Sequence, residues 1–169
     1  MASNPTVPPK LQSPGAGLPA LELAFLQTMF RCACALISLD AGLRWFKFEA
    51  RKIVVLARSV AAEQEALPVL INRVVGIEDS SRYWSVFMVL DHLRIVDEGM
   101  TQIVQTLTDD CLFGQEVRIQ DVKPSPQSGP ETIGRFLKAV DRYESTVTRL
   151  GTVGGRVRHP HPWCGPMTA

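Results

Sequence analysis

Three histidines and one late cysteine are the side chains here best suited to chemistry. His159, His161 and Cys164 stand in the closing stretch "RHPHPWCGPMTA", and His92 is the only histidine outside it. Imidazole and thiolate both ligate divalent metals, but a catalytic zinc normally takes three protein ligands and keeps one position open. His92 alone therefore makes no site. His-Pro-His followed three residues later by Cys offers the right residue types. However, Pro160 and Pro162 hold that stretch extended, so His159 and His161 need not converge on one ion. The expected role of the stretch is a turn that packs Trp163 on the end of the fold.

By helical geometry His92 flanks an apolar seam and shares a face with Ser85, Met88 and Val96. A partly buried, hydrogen-bonded imidazole is the commonest role for such a residue. Asp91, Asp97 and Glu98 are near in sequence, yet most of them point away from His92, so a solvated face is expected for them. Cys32 and Cys34 are two apart on an apolar helix and face different sides, which prevents easy chelation by the pair.

The elements that carry these groups are helical. In residues 84–107, Val86, Val89, Leu93, Val96, Met100, Ile103 and Leu107 recur at steps of three and four, the pattern of an amphipathic helix, with Ser85 as its N-cap. Residues 43–66 read as another long helix, with Phe46, Ile53, Ala57 and Val60 on one face and Pro68 ending or kinking it. After the proline-rich "VKPSPQSGP", Ser128 and Glu131 have capping-box spacing. They open a helix whose apolar face is Ile133, Leu137, Val140, Tyr143, Val147 and Leu150. No segment of comparable strength reads as a strand, so the expected fold class is all-α.

Composition narrows the function classes. The chain has 169 residues, 46% hydrophobic and 21% charged, which suits one globular domain. Residues 1–19, rich in Pro, Gly and Ser, are expected to be a disordered leader, and 20–169 a single helical domain. Segment 20–39 is apolar but interrupted by Glu22 and Arg31, and a mid-span Arg costs about 2.5–3.5 kcal/mol on insertion scales. A core or pairing helix is expected there rather than a membrane anchor. A net charge of +1, with no basic stripe carrying interleaved aromatics, gives no support for nucleic-acid binding. "GTVGG" lacks the lysine and strand-to-helix context of a phosphate loop. The four cysteines are too few for a disulfide framework and form no CxxC pair. They point to a reducing, cytoplasmic setting with free and mostly buried thiols.

Two short motifs carry a family resemblance. "YWSVFMVLDHLRIVDEGM" resembles the signature of the DinB-like (YfiT-type) superfamily, where Trp-Ser opens a helix and His-Leu follows one to two turns later. "RHPHPWCGPMTA" is similar to that family's second signature, His-Pro-aromatic-x-Gly-Pro-Leu-Thr-Ala, which leads into the last helix. The similarity covers roughly residues 44 to 169 and includes the third helix. It implies an antiparallel four-helix bundle. It further implies, for many members, a zinc- or nickel-type divalent metal held by three histidines. One of these matches His92; the other two come as His-x-x-x-His on a final helix that does not occur before Ala169. Relatives of this kind include metal-dependent thiol S-transferases that use small-molecule thiols.

Three expectations follow from that comparison. The chain is a truncation with an open groove, or it dimerises to cover the exposed seam, or segment 20–39 occupies the fourth-helix position. In each case the three-histidine site cannot be assembled from this chain alone. A non-catalytic bundle acting through self-association or partner binding is thus the first expectation. The alternative is a metal-dependent thiol-transferase or hydrolase that draws its missing ligands from a second chain or from His159, His161 and Cys164.

Overall fold

A computed structural model describes residues 9–151 and 155–168. The first eight residues of the leader, the centre of "GTVGG" and the final Ala169 lie outside the described residues. The fold is mostly helical: α1 (Ala20–Leu36), α2 (Leu39–Arg58), α3 (Val86–Thr108) and α4 (Glu131–Leu150). It is not wholly α. Val69–Leu70 (β1) pairs antiparallel with Tyr83–Trp84 (β2), and His159–His161 (β3) with Gly165–Met167 (β4). Both ladders are too short to show the alternation by which strands are read from sequence.

Helix α3 packs mainly on α4, and α2 packs on α4. Their shared core is Ala50, Val54, Ala57, Leu90, Phe136 and Val140, with Phe46, Ile53, Leu93 and Leu137 against it. Ser85 caps α3 as expected, accepting a bond from the Met88 N–H at 3.2 Å. The seam of α3 is broader than its three-four spacing indicates. Phe87, Leu90 and Thr101 are buried, whereas Val89 is 41% exposed.

Two boundaries differ from expectation. Helix α2 stops at Arg58 instead of running to residue 66, although the following alanines and glutamates are good helix formers. The Ser59 hydroxyl donates to the Leu56 carbonyl at 2.7 Å, and the chain turns to deliver Glu65, whose carbonyl accepts from Val86 N at 3.1 Å. Tertiary demand overrides propensity there. Ser128 does not cap α4. Its hydroxyl donates to Asp91 Oδ2 at 3.0 Å and to the Ser125 carbonyl at 2.8 Å, and the helix begins one residue after Pro130.

Helix α1 has no buried residue, and Leu21 and Leu36 are 88% and 85% exposed. It is held at its ends. Glu22 accepts from Gly76 N at 2.6 Å and pairs with Arg73, while Arg31 lies beside Gly165 of the closing hairpin. Cys32, Cys34 and Cys111 are exposed and Cys164 is half-buried, which corrects the expectation of mostly buried thiols. Both α1 thiols stay open because α1 buries none of its residues against the other helices.

The N-terminal stretch 9–19 carries no helix or strand and crosses the 78–81 turn. Glu78 is only 1% exposed. Its carboxylate accepts from Gly15 N at 2.8 Å, Gly17 N at 3.0 Å and Lys123 Nζ at 3.0 Å, and from the Ser80 hydroxyl. Gly15 has φ +89°, and a side chain there would run into Gln120. Burial pushes the Glu78 pKa up, but the bonds from Ser80, Gly17 and Lys123 outweigh it and hold the group below the ordinary carboxylate value.

Asp97 is the opposite case. Burial, aided by the adjacent Glu98 charge, raises its pKa to about 6, and its Oδ2 is buried without a hydrogen-bond partner. Its folded pKa lies above its unfolded value, so the native state is penalised progressively as pH rises from about 4 through 6. Discounted for partial solvation, the penalty is about 1–2 kcal/mol. Asp97→Asn should match the wild type near pH 4 and exceed its stability by that amount at pH 8. Equal stability at pH 8 in urea titrations would show that the carboxylate is solvated.

Candidate functional site

His92 projects from α3 into a cavity of about 380 Å³ whose lining includes Val96, Met100, Phe113, Lys123, His161 and Trp163. Three elements build it: one flank of α3, the segment 113–123 with its 3-10 turn at Ile119–Val122, and the turn between β3 and β4. Thus the histidine of the first motif and one histidine of the second line the same space, although about 70 residues separate them.

The hydrogen bonds fix the tautomers. His92 Nδ1 lies 2.6 Å from the Val122 carbonyl, which can only accept, so the proton is on Nδ1 and Nε2 keeps its lone pair. The ring stacks on Trp84 at 5.0 Å with a 50° tilt. Burial lowers its pKa and the Lys123 charge adds to that, against the Val122 bond and Asp91, which favour the cation. The net shift is downward, so His92 is a neutral base at pH 7.

His161 is built the other way round. Its Nδ1 accepts the backbone N–H groups of Trp163 and Cys164 at 3.2 and 3.1 Å, which places its own proton on Nε2. Burial, followed by the neighbouring His159, lowers its pKa as well. As a neutral imidazole it therefore has no lone pair left for a metal while the turn is intact. The expected turn is present, and His161 is the residue that closes it.

The remaining tail candidates do not join the cavity. His159 is 4% exposed and packs edge-on against Phe113 at 5.4 Å, with Nε2 unpartnered. Cys164 lies on the far side of the turn, in a second cavity, with its thiol pKa raised by burial and by nearby Cys34. Among the described residues no three His, Cys, Asp or Glu groups cluster as a metal site. A three-ligand centre does not fit these residues: of the two histidines lining the cavity only His92 keeps a free lone pair, and the lining carboxylates Glu116 and Asp121 form no three-ligand cluster with it.

Sequence reasoning missed the support of the site. Lys123 follows Val122 directly, donates to Glu78, Ser80 and Ser81, and stands over the Trp84 ring at 5.3 Å. Asp91, expected on a solvated face, is 6% exposed. It accepts from Ser125 N at 3.0 Å and from Arg94 and Ser128, holding the segment that leads into α4. Burial pushes its pKa up, but those bonds bring it below the usual value. The run of Ser and Pro between α3 and α4 signalled a loop without indicating its anchors.

No family model matches the chain, and neither a curated protein nor a solved structure matches it. No helix among the described residues is long and apolar enough to cross a membrane.

Proposed function

We propose that this chain is a DinB-like helical bundle of the antiparallel four-helix type, with α1 beside the fourth position, and that it acts through self-association rather than catalysis. The observation that carries this reading is the outward face of α2. Trp45, Phe48, Val55 and Leu56 fall at helical spacing opposite the buried Ala50, Val54 and Ala57, and are 58–68% exposed. With an aromatic side chain carrying about 150–250 Å², these four residues leave on the order of 400 Å² of apolar surface. That is as large as the largest patch on a typical monomer, about 300–600 Å². Helix α1 adds Leu21, Phe25, Met29 and Leu36 on one stripe of its own. A homodimer in a cytoplasmic setting, without nucleic acid or membrane, accounts for such faces.

The free Nε2 of His92 supports a second reading: a divalent-metal enzyme of the thiol S-transferase or hydrolase type. The residues of one chain do not fit the metal, so a second chain would have to complete the ligand set. One experiment separates the readings. Light scattering on the purified protein should give twice the mass of 18.7 kDa, and Phe48→Lys with Val55→Lys should return it to monomer. Metal analysis of the same fractions should find no stoichiometric zinc or nickel. A monomeric wild type would sink the self-association reading. Metal at one per chain that is lost in His92→Ala would install the enzyme reading in its place.

A further inference from the structure

A second cavity, of about 710 Å³, lies between α1, the α3–α4 pair and the closing hairpin. Its walls are mostly apolar. Phe30 and Ile37 come from α1, Met100 and Leu107 from α3, Val147 from α4 and Met167 from β4. Its volume falls in the range of about 300–1,000 Å³ found for small-ligand sites. Because α1 already forms one wall, the space that remains is the size of a ligand.

One lining side chain is charged. Arg31 of α1 reaches the rim beside Gly165, and it has no ion-pair or hydrogen-bond partner among the described residues. Tyr143 is the other polar group of note, and burial raises its pKa, so it stays neutral at pH 7. Burying a long apolar wall with one unpaired guanidinium at its mouth fits an amphiphile of matching shape: an aliphatic chain ending in an anion. Guanidinium and carboxylate make a two-pronged, charge-assisted contact.

We propose that this cavity binds a free long-chain carboxylate, the alkyl chain between α1 and the α3–α4 pair and the head group on Arg31. The ligand would seal the unburied inner side of α1, the least supported helix of the fold. Nothing in this site depends on the dimer or on His92.

The test uses the full chain and cis-parinaric acid, a fluorescent polyene carboxylate. Saturable one-to-one binding is expected, displaced by palmitate and not by hexadecylamine, which has a similar chain and the opposite charge. Arg31→Gln should weaken binding about tenfold or more, the effect of losing one charge-assisted contact. Cys34→Trp, at an exposed α1 position lining the cavity, should abolish binding while leaving thermal melting unchanged. Absence of saturable binding would overturn the proposal. So would binding that both variants leave intact, or equal displacement by hexadecylamine. Cys34→Trp splitting a dimer that never takes up the probe would assign the cavity to a second copy instead.

Discussion

Glu78→Ala is expected to lower stability by about 3–5 kcal/mol, the range for removing one member of a buried ion pair. The carboxylate is shared by two backbone amides, a hydroxyl and Lys123, so its loss strands the Gly15 and Gly17 amides and leaves Lys123 with only the Ser80 and Ser81 hydroxyls. Lys123 would then remain half-buried against Trp84 without its countercharge. Urea unfolding followed by tryptophan fluorescence gives the loss directly. Glu78→Gln should cost less, since the amide oxygen still accepts from Gly15 or Gly17. The native pKa of Glu78 is depressed, so its stabilisation is present above the unfolded pKa and is lost as pH falls through the folded one. A loss under about 1 kcal/mol for Glu78→Ala would mean that the carboxylate and its partners are solvated.

Leu93→Asp and Val96→Asp, three residues apart on α3, should behave quite differently. Leu93 packs against the Leu90–Phe136–Val140 core, where a carboxylate would find no partner. A destabilisation of about 3 kcal/mol or more is expected, enough to unfold a marginal domain. Val96 instead lines the His92 cavity, where water can reach the new charge. About 1 kcal/mol or less is expected there. Circular dichroism melts at neutral pH compare the two. Equal losses would place both residues on the same buried face and would make the cavity a packed interior.

Periodicity alone places Leu93 and Val96 on one apolar seam, and their different surroundings show what a sequence discloses. Period and spacing located α3, α4, the Ser85 cap and the Phe46–Ile53–Ala57 face, because those features depend on neighbours three or four residues away. They also picked out His92, the one histidine inside a strong amphipathic pattern. What they could not supply was anything joined across the chain. The acidic turn "IEDSS" gives no sign that Glu78 is the least solvated of its residues, since its partners are at 15, 17 and 123. The capping-box spacing at Ser128 was a true local signal overridden by Asp91, 37 residues earlier. His161 drew attention as a ligand type, but its role was fixed by two amide hydrogens of its own turn.

The ties of the segment before α1 to residues 78 and 79 span 61 to 67 residues, whereas α3 and α4 are joined through residues 109–130. Closing a loop of that length costs about 3.7 kcal/mol beyond a constant term, against about 2.7 kcal/mol for the α3–α4 connection. Loop entropy therefore favours pairing of α3 with α4 over the ties of residues 12–17 by about 1 kcal/mol. Helix α1, tied through Glu22 to Arg73 and Gly76, keeps its apolar side chains uncovered until those contacts form. Glu78 thus works as a clasp: its bonds to Gly15 and Gly17 fasten the segment before α1 to a turn that Lys123, in the α3–α4 connection, also holds.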